Sequence, residues 1–117
     1  MLFYLMKLYT SYYAKSGKHP KAVGISGTAP PFYKGKRCTK LAPNWDLFNQ
    51  WKATGDNDTY IKRFENEILN KLDPHKVLSE LGDGAVLLCY ETSDKFCHRH
   101  LVAKWLMQHT DVEISEI

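Results

Sequence analysis

The sequence predicts a small three-layer α/β domain, in which a mainly parallel sheet of three to four strands is flanked by helices. Apolar segments of strand length alternate along the chain with segments of helical periodicity, a pattern typical of β-α-β units. The segment AVLLCY, residues 85–90, is apolar almost throughout, as a parallel strand buried on both faces requires. With 117 residues the chain has the length of one domain, which we expect to span residues 1–117.

Two strand candidates and one long connection make up the N-terminal part of the sequence. Residues 3–10 (FYLMKLYT) are rich in aromatic and aliphatic side chains, which predicts a largely buried first strand. The segment AVGIS, residues 22–26, predicts a short second strand that ends before Gly27. Residues 28–44 show no periodicity, and a connection of that length in a compact domain is usually functional or disordered; its aromatic residues argue against plain disorder.

Helical spacing of apolar residues dominates the sequence after residue 44. Capping residues, glycines and prolines set the boundaries of four predicted helices. These are residues 45–54, a helix capped by Asn57 or Asp58, one that begins at Asp73-Pro74, and residues 98–108. The spacing of Trp45, Phe48 and Trp51 predicts one apolar helix face, and we expect all three tryptophans, Trp105 included, in the core. The segment VEIS near the C-terminus predicts a final edge strand.

Positive charge is concentrated in the first part of the chain. Residues 1–42 contain eight of the 16 Lys and Arg residues and none of the 13 acids, although the formal net charge is only +3. A one-sided basic segment is typical of proteins that bind an anionic small molecule or nucleic acid. Solvated loop lysines that balance an acidic C-terminal part are the alternative, and the sequence leaves both open.

Several features predict a cytoplasmic protein that does not associate with membranes. The apolar start LFYLM lacks the basic flank and cleavage site of a secretory signal. No apolar run approaches the roughly 20 residues that a membrane-spanning helix needs. The three cysteines, an odd number, are therefore expected to be reduced thiols.

Most of the reactive side chains lie in LLCYETSDKFCHRH, residues 87–100, where the predicted strand is followed by a helix. Ligands of open α/β sheets bind at the carboxyl ends of strands, and helix N-termini attract anions. Arg99 is therefore predicted to clamp an anion. Glu91 or Cys97 would act as the nucleophile or base, and His98 would exchange protons. Each of these residues also has a purely structural alternative as a capping, surface or core residue.

Established cofactor motifs are missing from the sequence, and we expect no cofactor or metal. There is no dinucleotide-binding glycine motif, P-loop or phosphatase loop. Cys89 is expected to point into the core, and neighbouring Cys97 and His98 are expected to diverge on a helix, which disfavours zinc. His100 would be a fourth ligand candidate, and Cys38 a more remote one. A metal site would require Cys89, Cys97 and a histidine to converge in space.

The segment from β-strand candidate to helix, residues 87–99, resembles the domain-of-unknown-function 488 (DUF488) family. Its members are similar in an apolar strand that ends in a cysteine and an acid, followed by Cys-His-Arg at a helix start, here within residues 87–99. Residues 9–13 (YTSYY), 29–35 (APPFYKG) and 40–58 (KLAP to TGDND) are similar to a shorter branch of the family. The resemblance implies a small α/β fold and a cytoplasmic setting, but no established reaction.

One departure from the family concerns the end of the second strand. Many members carry Asp-x-Arg there, whereas this chain has GISG. Lys36 and Arg37, in the long basic connection, are the candidates to replace the missing cation. Whether the family's chemistry is retained depends on that replacement.

We therefore expect a small enzyme that acts on a nucleotide, a nucleic-acid base or another phosphorylated substrate. Lys34, Lys36 and Arg37 would help Arg99 to hold the anion. Aromatic residues would stack on a base, among them Tyr12, Tyr33 and Trp45. The alternative is a non-catalytic nucleic-acid-binding module that uses the basic N-terminal third.

Overall fold

The central sheet has five parallel strands in the order β3-β2-β4-β1-β5. In this computed structural model, which describes residues 6–117, the strands are β1 (Lys7–Tyr12), β2 (Ala22–Gly24), β3 (Lys36–Arg37), β4 (Val86–Cys89) and β5 (Glu113–Glu116). The predicted α/β class with a parallel sheet is confirmed, with one strand more than the upper prediction. Because β4 lies between β1 and β2, the loops that follow β2 and β4 meet at the carboxyl edge of the sheet.

Five helices connect the strands, namely α1 (Tyr13–Ser16), α2 (Trp45–Thr54), α3 (Asn57–Glu67), α4 (Pro74–Leu81) and α5 (His98–His109). The Asp73 cap and Pro74 at the first position of α4 are confirmed, since the Asp73 carboxylate accepts from backbone N–H groups of that first turn. The cap of α3 is Asp56 instead of Asn57 or Asp58, because its carboxylate accepts the Thr59 N–H. α2 ends at Gly55, whose φ of 66° suits glycine.

Alternate residues of β4 face the two sides of the sheet. Leu87 packs in the larger core beneath α2 to α5, while Val86 and Leu88 pack in a smaller cluster with Tyr13 and Tyr33. All four residues of β4 are buried, as the apolar run predicted. The sheet is therefore covered on both faces, and its carboxyl edge remains as the place where loops can form a site.

Several predictions about strands and core residues differ from the structure, among them the second strand, which ends at Gly24 and not at Ser26. The first strand occupies Lys7–Tyr12, and residues 3–5 of its predicted range lie outside the described residues. β3 was missed because its two exposed basic residues carry no apolar pattern and become a strand only by pairing with β2. Trp45 is not a core residue, since it is 66% exposed, whereas Trp105 is buried as predicted and Trp51 packs partly against the core. The apolar face of α2 therefore extends beyond the part that the core covers, and Trp45 lies on the uncovered end.

Among the helices of residues 6–117, none combines the length and apolar character needed to cross a membrane.

Candidate functional site

A pocket of about 410 Å³ opens at the carboxyl edge of the sheet, between the ends of β2 and β4. One part of its lining is an aromatic wall, formed by Trp45, Phe48, Trp51, Tyr60, Tyr90 and Phe96. The other part is polar and includes Ser26, Thr28, Glu91 and a sulfur–imidazole cluster of Cys89, Cys97 and His98. All three cluster residues are buried. The pocket lies at the strand-to-helix corner, residues 87–100, where the sequence predicted a site.

Cys89 and Cys97 form a disulfide bond. Cys89 is the last residue of β4 and Cys97 is the N-cap of α5, so the fold brings strand end and helix start together. The prediction that all three cysteines are reduced thiols is therefore wrong for this pair; Cys38 is free. Local sequence gave no sign of the pairing, because a separation of eight residues becomes a contact only through the turn of the intervening loop.

The metal-ligating atoms of Cys89, Cys97 and His98 all lie within 4.8 Å of one another. The expectation that Cys97 and His98 diverge was wrong. Cys97 has extended backbone angles and stands just outside α5, so its side chain does not follow the helical rotation that separates neighbours. These three residues are the ones that could hold a metal ion.

His98 is fixed in one orientation. Its Nε2 lies 2.7 Å from the main-chain oxygen of Ile25, and because a carbonyl only accepts, Nε2 carries the proton. The other ring nitrogen, Nδ1, is 4.0 Å from the Cys97 sulfur. Burial lowers the pKa of His98 to about 4, in spite of the bond to Ile25. A neutral imidazole therefore presents a lone pair to the sulfur.

Arg99 is fully buried, with 0% exposure, and its guanidinium is engaged within the protein. Nε and Nη2 donate to the two carboxylate oxygens of Glu116, at 3.1 and 2.8 Å. Nη1 donates to the Cys89 sulfur at 3.3 Å and to the main-chain oxygen of Glu91 at 2.8 Å. The geometry thus favours a role in which Arg99 supports the junction between β4 and α5 and polarises the Cys89 sulfur. Its predicted role in clamping an anion stays a prediction.

Glu116, on β5, is the partner that sequence reasoning missed. Its carboxylate also accepts from the hydroxyls of Thr10 and Ser93. Burial by itself would raise the pKa of Glu116, but the bonds from Arg99, Thr10 and Ser93 outweigh it and hold the pKa at about 2. No local pattern marks this residue, because its partners come from β1, the loop after β4, and α5.

The depressed pKa of Glu116 predicts a loss of stability in acid. Because the group ionises more readily when folded, its contribution is complete above the ordinary pKa of 4.5 and disappears as the pH falls to about 2. The expected loss over that window is at most about 3 kcal/mol, because water partly screens this incompletely buried carboxylate. Urea unfolding of the wild type and Glu116→Gln should show a difference in unfolding free energy that narrows as the pH falls. A constant difference across the window would contradict the prediction.

The structure brings together three predicted catalytic residues, Glu91, Cys97 and His98, around the pocket. Glu91 is exposed and belongs to the loop after β4. Tyr12 and Tyr33 do not contribute to the described lining. The buried Tyr33 hydroxyl instead accepts the Gly24 N–H and donates to the Lys36 carbonyl.

The predicted basic residues lie outside the described lining of the pocket. Lys34 and Lys36 are exposed near the edge of the sheet. Arg37 donates from Nη2 to the main-chain oxygens of Ser26 and Gly27, at 3.3 and 2.7 Å. Its guanidinium therefore supports the backbone directly after β2, at two residues that line the pocket.

Sequence reasoning named Trp45 as a residue that could stack on a base, but it did not recognise the rest of the aromatic wall. The stripe of Trp45, Phe48 and Trp51 was the available signal, but an apolar helix stripe fits a core as well as a pocket. Phe96, from the loop before α5, completes the wall and lies 5.7 Å from the Trp51 ring centroid. Its position depends on how that loop turns.

Comparison with known proteins assigns the family. Residues 22–110, about three quarters of the chain, match the family model DUF488-N3a, described as the active DUF488-N3 subclade. The chain belongs to the DUF488 family. No curated protein and no solved structure matches it.

The matched segment of this DUF488 protein contains every residue that lines the pocket. Glu116, the partner of Arg99, lies outside it. Arg37 lies against the end of β2, where the family resemblance implies an Asp-x-Arg that this DUF488 protein lacks. Whether Arg37 or Lys36 replaces that cation stays a prediction.

Proposed function

We propose that this protein is a small cytoplasmic enzyme whose pocket takes a planar heterocycle, such as the base of a nucleoside or nucleotide. The observation that carries the proposal is the arrangement of reactive groups opposite an aromatic wall in one pocket. A volume of about 410 Å³ lies within the usual range of small-molecule sites. The match to a subclade described as active supports an enzyme over a binding module.

The aromatic wall supports a flat ligand. Trp51 and Phe96 are tilted against each other with centroids 5.7 Å apart, and Trp45 extends the wall towards solvent. Stacking of a base on one aromatic side chain contributes about 1–3 kcal/mol. Thr28, on the polar side, has a hydroxyl that contacts the Tyr90 hydroxyl at 3.2 Å and would be able to turn towards the edge of a base.

The reactive side of the pocket has two centres. Glu91 carries a carboxylate that can accept a proton from a bound heterocycle. The sulfur–imidazole cluster supplies the second centre, in which a reduced Cys97 would lie beside the unprotonated Nδ1 of His98. No lysine or arginine appears in the described lining, so the base or nucleoside is favoured over a phosphate as the part recognised.

Replacing Trp45 with alanine tests the pocket without disturbing the core. Trp45 is 66% exposed, so the variant should fold normally while ligand binding weakens roughly 5- to 150-fold, the equivalent of about 1–3 kcal/mol. A thermal-shift screen of nucleobases, nucleosides and nucleotides identifies the ligand, and titration calorimetry measures the change. Phe32→Ala, which removes another exposed aromatic outside the described lining, is the matched control.

Turnover of the ligand, followed by chromatography of products, decides between an enzyme and a binding module. Loss of turnover in Glu91→Gln with binding retained would support the catalytic role of Glu91. Binding of oligonucleotides alone, steeply weakened by salt and unaffected in Trp45→Ala, would instead support the nucleic-acid-binding alternative. If the Trp45 and Phe32 variants bound the ligand with equal affinity, the proposal that the ligand binds in this pocket would be wrong.

A further inference from the structure

The sulfur–imidazole cluster combines two sulfurs, one imidazole and a neighbouring cavity. We propose that the reduced chain binds one Zn²⁺ ion through the sulfurs of Cys89 and Cys97 and Nδ1 of His98, with the fourth coordination position facing the pocket. Thiolate and imidazole are the ligands that Zn²⁺ prefers in proteins. Three protein ligands with an open fourth position are typical of a catalytic zinc site, whereas structural sites are closed by four.

The two sulfurs, which are bonded to each other in the oxidised chain, have to separate on reduction, whereas the imidazole needs only a small shift. Zn–S bonds of about 2.3 Å and Zn–N bonds of about 2.0 Å in a tetrahedron place the ligand atoms roughly 3.5–3.8 Å apart. The three atoms already lie within 4.8 Å of one another, and Nδ1 is 4.0 Å from the Cys97 sulfur. The Cα atoms of the two cysteines are 7.2 Å apart. This spacing exceeds the usual range of about 4.4–6.8 Å for bridged cysteines, so the backbone already suits two reduced sulfurs held apart by an ion.

His98 is arranged as a zinc ligand requires. Its Nε2–H donates to the Ile25 carbonyl at 2.7 Å, which places the free lone pair on Nδ1, beside the Cys97 sulfur. Such a bond from the ring nitrogen remote from the metal is the common way in which proteins orient a histidine ligand. The Phe64 ring packs edge-to-face against the imidazole, with centroids 5.6 Å apart, and restricts its rotation.

The charges around the cluster are also suitable. Two thiolates and Zn²⁺ sum to zero, so the buried site would carry no net charge. Arg99 Nη1 donates to the Cys89 sulfur and would stabilise its thiolate, while the Glu116 carboxylate balances the charge of Arg99. The three ligands all line the pocket, so the fourth position is accessible to a small molecule.

Zinc binding and the disulfide exclude each other. A dithiol reductant such as dithiothreitol would break the Cys89–Cys97 bond, supplying two electrons and two protons and becoming a cyclic disulfide itself. Zn²⁺ would then displace the two thiol protons to solvent. Oxidation by a disulfide donor would reverse these steps and release the ion, which makes the site dependent on redox state.

Cobalt titration of the whole chain tests the site, because Co²⁺ reports thiolate and tetrahedral coordination in its absorption spectrum. The protein reduced with dithiothreitol and freed of reductant without oxygen should bind one equivalent, with sulfur-to-cobalt charge-transfer bands. Adding Zn²⁺ should abolish these bands. The oxidised wild type should show no such bands, and it is a control that contains no substitution.

Variants assign the ligands. Cys97→Ser and His98→Gln should weaken Co²⁺ binding by more than about 100-fold, since even residues behind the ligands contribute about 10- to 100-fold. Cys38→Ser, which removes the free cysteine, should bind as the wild type does. Absence of the bands from the reduced wild type, or their loss in Cys38→Ser, would overturn the proposal. Metal binding is measured without substrate, so its failure leaves the Trp45-dependent test of the pocket intact.

Discussion

Replacing Arg99 with alanine is expected to destabilise the protein by about 3–5 kcal/mol, the usual result of removing one partner of a buried ion pair. Arg99 is fully buried, and its loss leaves the Glu116 carboxylate without two of its donors. The Cys89 sulfur and the Glu91 main-chain oxygen lose a donor as well. Chemical unfolding of the reduced and oxidised chains measures the effect.

A double-mutant cycle with Glu116→Gln separates the pair from the other contacts of Arg99. We expect the double variant to lose less stability than the sum of the two single variants. Each single variant leaves the other charge partly buried and unpaired, and the double variant does not. Arg99→Lys keeps the charge but loses the two-pronged contact, so it should recover only part of the stability. An unfolding midpoint of Arg99→Ala equal to that of the wild type would contradict this expectation. It would mean that the ion pair adds no stability, and it would favour the anion-binding role that the sequence predicted for Arg99.

Replacing Phe64 with alanine should cost about 3–5 kcal/mol, since it opens a cavity in the largest part of the core. Phe64 has 0% exposure and stacks on the Tyr60 ring, with centroids 5.9 Å apart. It also supports the imidazole of His98 from behind. We therefore expect weaker Co²⁺ binding by the reduced variant in addition to the loss of stability.

Phe64→Leu is the matched control, because it keeps most of the buried volume and removes only the ring. Its unfolding free energy should fall by much less than that of the alanine variant. Denaturant unfolding and cobalt titration on the same samples separate the two effects of Phe64. A stability loss below about 1 kcal/mol in Phe64→Ala would contradict the packing described for Phe64 in the hydrophobic core.

Both predictions concern residues that line no part of the pocket but hold its reactive side in place. Arg99 connects the ends of β4 and β5 to the start of α5, and Phe64 connects α3 to His98. The sulfur–imidazole cluster is therefore supported by an ion pair on one side and by aromatic packing on the other. Such support is what a metal or catalytic site requires to keep its geometry.

The sequence alone determined the α/β class, the buried strand β4 and the helices α2, α4 and α5. These elements carry strong local signals: an apolar run, a helical stripe, an aspartate before a proline, and glycines at the ends. It also placed Glu91, Cys97 and His98 at the strand-to-helix corner, because parallel sheets bind ligands at the carboxyl ends of their strands. All three line the pocket.

Tertiary structure alone decided the partners of those residues. The Cys89–Cys97 bond, the convergence of both sulfurs with His98, and the pairing of Arg99 with Glu116 join positions whose separation depends on how strands and loops assemble. Trp45 shows the same limit, because its helical spacing marks an apolar face without saying whether a core or a pocket covers it. Local patterns encode which face is apolar; the contacts made by that face are set only when distant segments pack together.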